Sequence, residues 1–297
     1  MLHRLNSMLL CAGLFGLLAS CGGGESGSAS TGSTSANASL PQTSIEGVWQ
    51  GLSPSGAVVM AAILDGGALW MAYGLPVATS TSTGTDTTAT GSGTTTGTGS
   101  TTGTATTSWK GFGALDGFIQ GVITLGSTGS VTGSELRDFA SFGNLSELKL
   151  AGKLVSSANI SGTFTSPSAA VTVSLAPAPS TSYVYGTAAR LSKVTGTWSG
   201  TDLSGASASA VIDSAAGIRI TQGSCIYTGT VIPKNPSIAS ENIFDAKLTA
   251  GASCGKRASL TFTGIALHQT VASGKTEIVL LALTEDKAQP FAFLASR

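Results

Sequence analysis

Apolar and polar residues alternate with a period of two in several short segments of this chain, the pattern of sheets with one covered face. Leu148 and Leu150 alternate with Glu147 and Lys149, and Val171, Val173 and Leu175 alternate with Thr172 and Ser174. Ile218 and Ile220 alternate with Arg219 and Thr221, while Leu260 and Phe262 alternate with Thr261 and Thr263. Such strands put every second side chain on the same side, as in antiparallel sheets with one face on a core. Turn residues separate them at Asp65-Gly66, Asp116-Gly117 and Pro233-Lys234-Asn235-Pro236. Many short strands in meander order close best as small barrels or half-barrels, because closure removes exposed edges. The expected fold class is all-β, with tandem small antiparallel β-barrel or half-barrel domains. The one helix-like stretch is Thr187–Val194, where Ala188, Leu191 and Val194 share a face.

A repeated phrase divides the chain. Gly47-Val48-Trp49-Gln50-Gly51 returns as Gly196-Thr197-Trp198-Ser199-Gly200, and each copy runs through an apolar strand into an acidic turn. The distance from Trp49 to Asp65 is 16 residues and from Trp198 to Asp213 is 15, as in an internal duplication. This places a first β-domain at 45–176, a connector with a short helix at 177–195 and a second β-domain at 196–297. Between Thr79 and Ser108 only Ser, Thr, Gly and Ala occur, apart from Asp86. Such a stretch lacks the apolar surface to offset its ordering entropy, so 79–108 is expected to be a disordered insertion in the first domain.

The first 21 residues carry an address. His3 and Arg4 precede an apolar run from Met8 to Leu18, which closes as Leu18-Ala19-Ser20-Cys21 before Gly22-Gly23-Gly24. A basic start, a short apolar region and small residues at the cut make a secretory signal. The run falls short of the ~20 apolar residues a spanning helix needs. The segment resembles the lipobox of bacterial lipoproteins. The resemblance implies cleavage of 1–20 and lipidation of Cys21 with fatty acyl chains such as palmitate. Residues 21–44 then form the lipidated Cys and a flexible Gly/Ser/Thr tether. One acyl chain holds a protein only marginally at about 0.8 kcal/mol per methylene, whereas two or three anchor it stably. Gly22 in place of an acidic residue implies, by the same resemblance, the outer membrane of the cell envelope.

Composition narrows the partners. The whole chain has 15 Lys+Arg against 15 Asp+Glu, and charged residues make up only 10% of it. With no basic stripe or aromatic-basic interleaving, nucleic acid is excluded as an expected partner. Cys11 leaves with the signal and Cys21 is lipidated, so Cys225 and Cys254 remain for a disulfide in an oxidising compartment. A two-Cys metal site is the competing reading, and it lacks neighbouring His or a second Cys pair.

The Gly-x-Trp phrases resemble the motif that opens lipocalin-type barrels. More broadly, the chain resembles uncharacterised proteobacterial lipoproteins with tandem Gly-x-Trp-x-Gly domains. In that pattern a Cys-containing strand such as Cys225-Ile226-Tyr227-Thr228-Gly229 is disulfide-linked to a later Cys, here Cys254. Phe291-Ala292-Phe293-Leu294 fits the last closing strand of the same pattern. The resemblance implies fold and location and carries no known activity.

The residue types that support catalysis are sparse. After removal of the signal the single histidine is His268, which reads as a strand-end surface residue without the partner a triad needs. Gly251-Ala252-Ser253-Cys254-Gly255 matches G-x-S-x-G in form only, because a strand follows it where a nucleophile elbow needs a helix. Asp65 and Asp213 recur in both copies, and hairpin chemistry explains them better than acid–base catalysis. Glu285, Asp286 and Lys287 read as a solvated turn. No cofactor and no metal site is expected. Trp49 and Trp198 either stack on a ligand or plug the closed end of a barrel as core, and the second reading is preferred. Trp70 and Trp109 flank the insertion as a cross-strand pair. The expected function is that of a lipid-anchored outer-membrane lipoprotein, not an enzyme, with a structural, adhesive or partner-binding role. Its expected contacts are the membrane through Cys21 and an unknown protein or small apolar ligand. The alternatives are a lipocalin-like carrier of a small apolar ligand and an inhibitor of a host hydrolase.

Overall fold

The computed structural model describes residues 44–77, 109, 111–140, 145–156, 158–234 and 241–297. The signal segment, Cys21, the tether up to residue 43, the insertion at 79–108 and the turn residues Asn235 and Pro236 lie outside the described residues.

Among the described residues, sixteen strands form two closed antiparallel barrels of eight, each a simple meander. Barrel 1 consists of β1 (Gly47–Leu52), β2 (Val58–Ile63), β3 (Ala68–Pro76), β4 (Phe112–Leu125), β5 (Ser130–Ala140), β6 (Leu145–Ser156), β7 (Asn159–Thr165) and β8 (Ala170–Pro177). Barrel 2 consists of β9 (Gly196–Asp202), β10 (Ser207–Ile212), β11 (Gly217–Gln222), β12 (Cys225–Pro233), β13 (Phe244–Ala250), β14 (Thr261–Thr270), β15 (Thr276–Leu283) and β16 (Pro290–Ser296). β1 pairs with β8 and β9 pairs with β16, so neither ring has a free edge. The helix-like stretch is a single turn, α1 (Leu191–Val194), with Val194 in the core of barrel 2.

The repeated phrase is the closure device of both rings. Its first glycine has a positive φ in each copy, +141° at Gly47 and +129° at Gly196, a conformation L side chains rarely adopt. The turn it makes lets the tryptophan indole reach back four residues. Trp49 Nε1 donates to the Ile45 carbonyl at 2.9 Å, and Trp198 Nε1 donates to the Val194 carbonyl at 2.7 Å. Both rings are buried, which satisfies their one polar atom inside the core. The last glycine faces the closing strand. A Cβ on Gly51 would lie 2.0 Å from the Ser174 carbonyl oxygen, and one on Gly200 would lie 1.8 Å from that of Leu294.

The interiors are filled. Val59, Ala61, Ile63, Leu69 and Met71 point into barrel 1, and about 20 Å³ of free space remains at its axis. In barrel 2, Tyr227, Phe262 and Phe291 meet with ring centroids 4.7 to 6.1 Å apart. The Cys225–Cys254 disulfide ties β12 to the 3-10 turn Ala252–Arg257, across a sequence separation of 29. On a chain-entropy estimate a loop of that length contributes about 3.6 kcal/mol.

Three strands break the alternation because they are buried on both faces. In β2, Val58, Met60 and Ala62 point away from the core of barrel 1. In β15 and β16, Val279, Leu281, Leu283, Ala292 and Leu294 point away from the core of barrel 2. These two outer faces pack together as one apolar seam, and both barrels fall in one compact unit. Inside the seam Gln50 Nε2 donates to Gln269 Oε1 at 3.1 Å, and Gln269 Nε2 donates to Glu277 Oε2 at 3.0 Å. Gly111, at φ +82°, leaves room for the Glu277 carboxylate, which also accepts from the Phe112 backbone N–H. Burial pushes Glu277 up from 4.5 to about 7.

Some sequence expectations need correction. Asp116-Gly117 is no turn but lies inside β4, because Gly117 is needed where the Tyr73 hydroxyl would meet a Cβ at 2.2 Å. Strand β4 begins at Phe112, so Trp109 has no strand partner. Trp70 stands opposite Gln120 in register and stacks on Phe118, and Trp109 packs edge-on against Phe112. By contrast, Asp65 and Asp213 do occupy the β2–β3 and β10–β11 turns. Asp213 Oδ1 accepts from the backbone N–H groups of Ala215 and Gly217, both at 2.8 Å.

Two measurements test this account. Replacing Gly51 by Ala should lower the urea midpoint by the equivalent of about 2–3 kcal/mol, because the closing strand must shift. Gly186→Ala, where nothing lies within 4 Å of an added Cβ, should be nearly neutral. Equal midpoints for the two variants would show that closure does not depend on Gly51. The second concerns pH. The Glu277 carboxyl binds its proton more tightly folded than unfolded, so its contribution is complete below the unfolded value of 4.5 and is lost as pH rises through about 7. Unfolding followed from pH 5 to 8 should show wild-type stability falling by at most about 3 kcal/mol, and Glu277→Gln should flatten that slope. An unchanged slope in the variant would assign the pH dependence elsewhere.

Candidate functional site

A groove runs along the outside of the seam, with one wall from each barrel. Its volume is about 890 Å³, within the range of small-molecule sites and far above the space left inside barrel 1. Cross-strand register explains its lining. On barrel 1 the lining residues Trp70 and Gln120 stand opposite each other on β3 and β4, flanked in register by Ala62 of β2 and Arg137 of β5. On barrel 2, Leu283, Thr263 and Lys247 follow one another across β15, β14 and β13. Each wall therefore passes from an apolar residue buried in the seam, through an aromatic, amide or hydroxyl group, to a cation outside.

Trp70 is half-buried, with its ring backed by Phe118 at a 21° interplanar angle, and Phe118 is stacked in turn on Phe139. That stack fixes the orientation of the indole. Beside it Gln120 Oε1 is buried without a hydrogen-bond partner, a state that costs about 1–3 kcal/mol. The opposite wall presents exposed Thr261, Thr263 and Lys247.

One end is formed by the β15–β16 turn. There Asp286 accepts from the Thr284 hydroxyl and from the Ala288 N–H, and these bonds hold its carboxyl below the usual range. Lys287 faces Glu135 of β5 at 3.7 Å, a solvent-exposed ion pair across the end of the groove. The turn read as simply solvated is thus the rim of the groove. The signal for it in the sequence is the three unbroken apolar runs, Val58–Leu64, Ile278–Leu283 and Phe291–Ala295, which mark strands covered on both faces.

The other sequence candidates lie elsewhere. Trp49 and Trp198 are core plugs. Arg297 covers the Trp198 face at 4.2 Å, and its guanidinium donates to the Thr195 and Lys193 carbonyls at 2.6 and 2.8 Å. His268 is not a strand-end surface residue. Strand β14 extends to Thr270 and turns His268 inward against Trp198, with centroids 6.0 Å apart. Burial, followed by the charges of Arg297 and Lys193, lowers it to about 4, so it is neutral at pH 7. Ser253 lies in the 3-10 turn beside the disulfide and is followed by no helix of the kind an elbow requires. Inside barrel 1 the Tyr73 hydroxyl donates to Asp138 at 2.7 Å, and burial raises both groups.

Comparison with known proteins adds little to this geometry. No family model matches the chain, and no curated protein matches it. Among solved structures, a protein with unknown function from the DUF3598 family of Nostoc punctiforme is similar at 12% identity and a TM-score of 0.24. The match covers 84% of this chain and 93% of that chain. A likeness at that level carries no argument about fold or function.

Proposed function

We propose that this chain is a non-catalytic lipoprotein, anchored in the outer membrane through Cys21, that binds a partner in the groove between its two barrels. The observation that carries the binding role is the contrast of volumes: about 20 Å³ at the axis of barrel 1 against about 890 Å³ in the groove. An apolar ligand carried inside a barrel needs several hundred Å³, so carriage within barrel 1 finds no support here. The non-catalytic reading rests on placement. The imidazole of His268 is packed edge-on against the Trp198 indole, and Asp65 and Asp213 serve separate turns. The membrane reading rests on the lipobox-like run Leu18-Ala19-Ser20-Cys21.

Cys21→Ala should move the protein from the membrane pellet to the soluble envelope fraction while its folded body stays intact by circular dichroism. A variant that still sediments with the outer membrane would overturn the lipid anchor.

A further inference from the structure

The geometry points to a chain of neutral pyranose sugars as the ligand of the inter-barrel groove, an inference that rests on the groove being the binding site. Three observations select this chemistry. First, the half-buried Trp70 is held as a flat platform by Phe118 and Phe139. The axial C–H groups of a sugar ring carry partial positive charge and fit the negative face of an indole. Second, the groups around the platform are an amide and hydroxyls. Gln120 stands opposite Trp70, and Thr261 and Thr263 line the facing wall. Rotation of the Gln120 amide would bring its unpartnered oxygen to a sugar hydroxyl and remove the penalty it now carries.

Third, the charges in and beside the groove cancel: Lys247, Lys287 and the flanking Arg137 are set against Glu285, Asp286 and the flanking Glu135. A uniform field that would favour an anionic or cationic ligand is absent from these residues. Leu260 and Leu283 line the groove together with the Trp70 ring and give it apolar surface against which the C–H face of a sugar can lie.

The test uses the soluble Cys21→Ala full chain on an array of neutral oligosaccharides, including glucans, mannans, galactans and chitooligosaccharides. The expected result is binding to at least one neutral series, weakened about tenfold by Trp70→Ala. Thr263→Trp, which adds bulk to an exposed wall position, should weaken it too without lowering the melting temperature. Binding that survives both substitutions would overturn the inference.

A blank array would overturn the sugar as well. A photo-crosslinking residue at position 263 in cells then separates the two readings. A crosslinked adduct would leave the groove as a binding surface for another class of partner, and no adduct would remove the groove together with the sugar.

Discussion

Each barrel depends on one close approach, the last strand lying against a glycine of the first. A Cβ added at Gly51 or Gly200 would lie 2.0 or 1.8 Å from a facing carbonyl oxygen, which leaves no room for any side chain. Two residues earlier the tryptophan occupies the space that closure creates, with its indole N–H paired to a carbonyl four residues back. A ring closed this way has no free edge to template aggregation, and its axis is occupied. The same phrase that builds the barrel therefore excludes the cup that a hollow barrel would offer.

With the interiors spent on packing, surplus apolar surface lies on the outside. β2, β15 and β16 carry apolar residues on both faces, which a lone barrel of this kind would leave in water. Burying those faces against each other joins the two rings. The seam also takes in Gln50, Gln269 and Glu277, whose hydrogen bonds run across it. A buried carboxylate between two apolar sheets is expensive, and its raised proton affinity is the direct expression of that expense. The position of the seam also decides where a groove can exist, since the two convex walls diverge only beyond the last buried row.

Much of the fold was legible in the sequence, because period-two alternation and a repeated Gly-x-Trp-x-Gly phrase report on sheet faces and on closure. The pairing of Cys225 with Cys254 was legible too, and the two are bonded. What could not be read was contact between distant residues. Asp116-Gly117 looks like a turn by composition, yet its glycine serves the approach of a tyrosine from a neighbouring strand. Trp70 and Trp109 look paired because they bracket an insertion, but register sets Trp70 against Gln120. The groove is the extreme case. Trp70 and Gln120 are 50 residues apart, and Thr263 and Lys247 lie in the other barrel. Only the seam brings the two walls together, and its trace in the sequence is the three strands β2, β15 and β16 that fail to alternate.

A site framed by two filled barrels differs in kind from one held on loops. Strand residues fixed by cross-strand pairing lose little freedom when a ligand arrives, so more of the contact energy remains as affinity. The platform indole is already stacked, and the strands behind both walls share the apolar packing of the seam. Such rigidity suits recognition of a stiff ligand with fixed hydroxyl geometry better than the accommodation of many shapes. The groove is also a property of the joined pair, since each barrel supplies one of its walls.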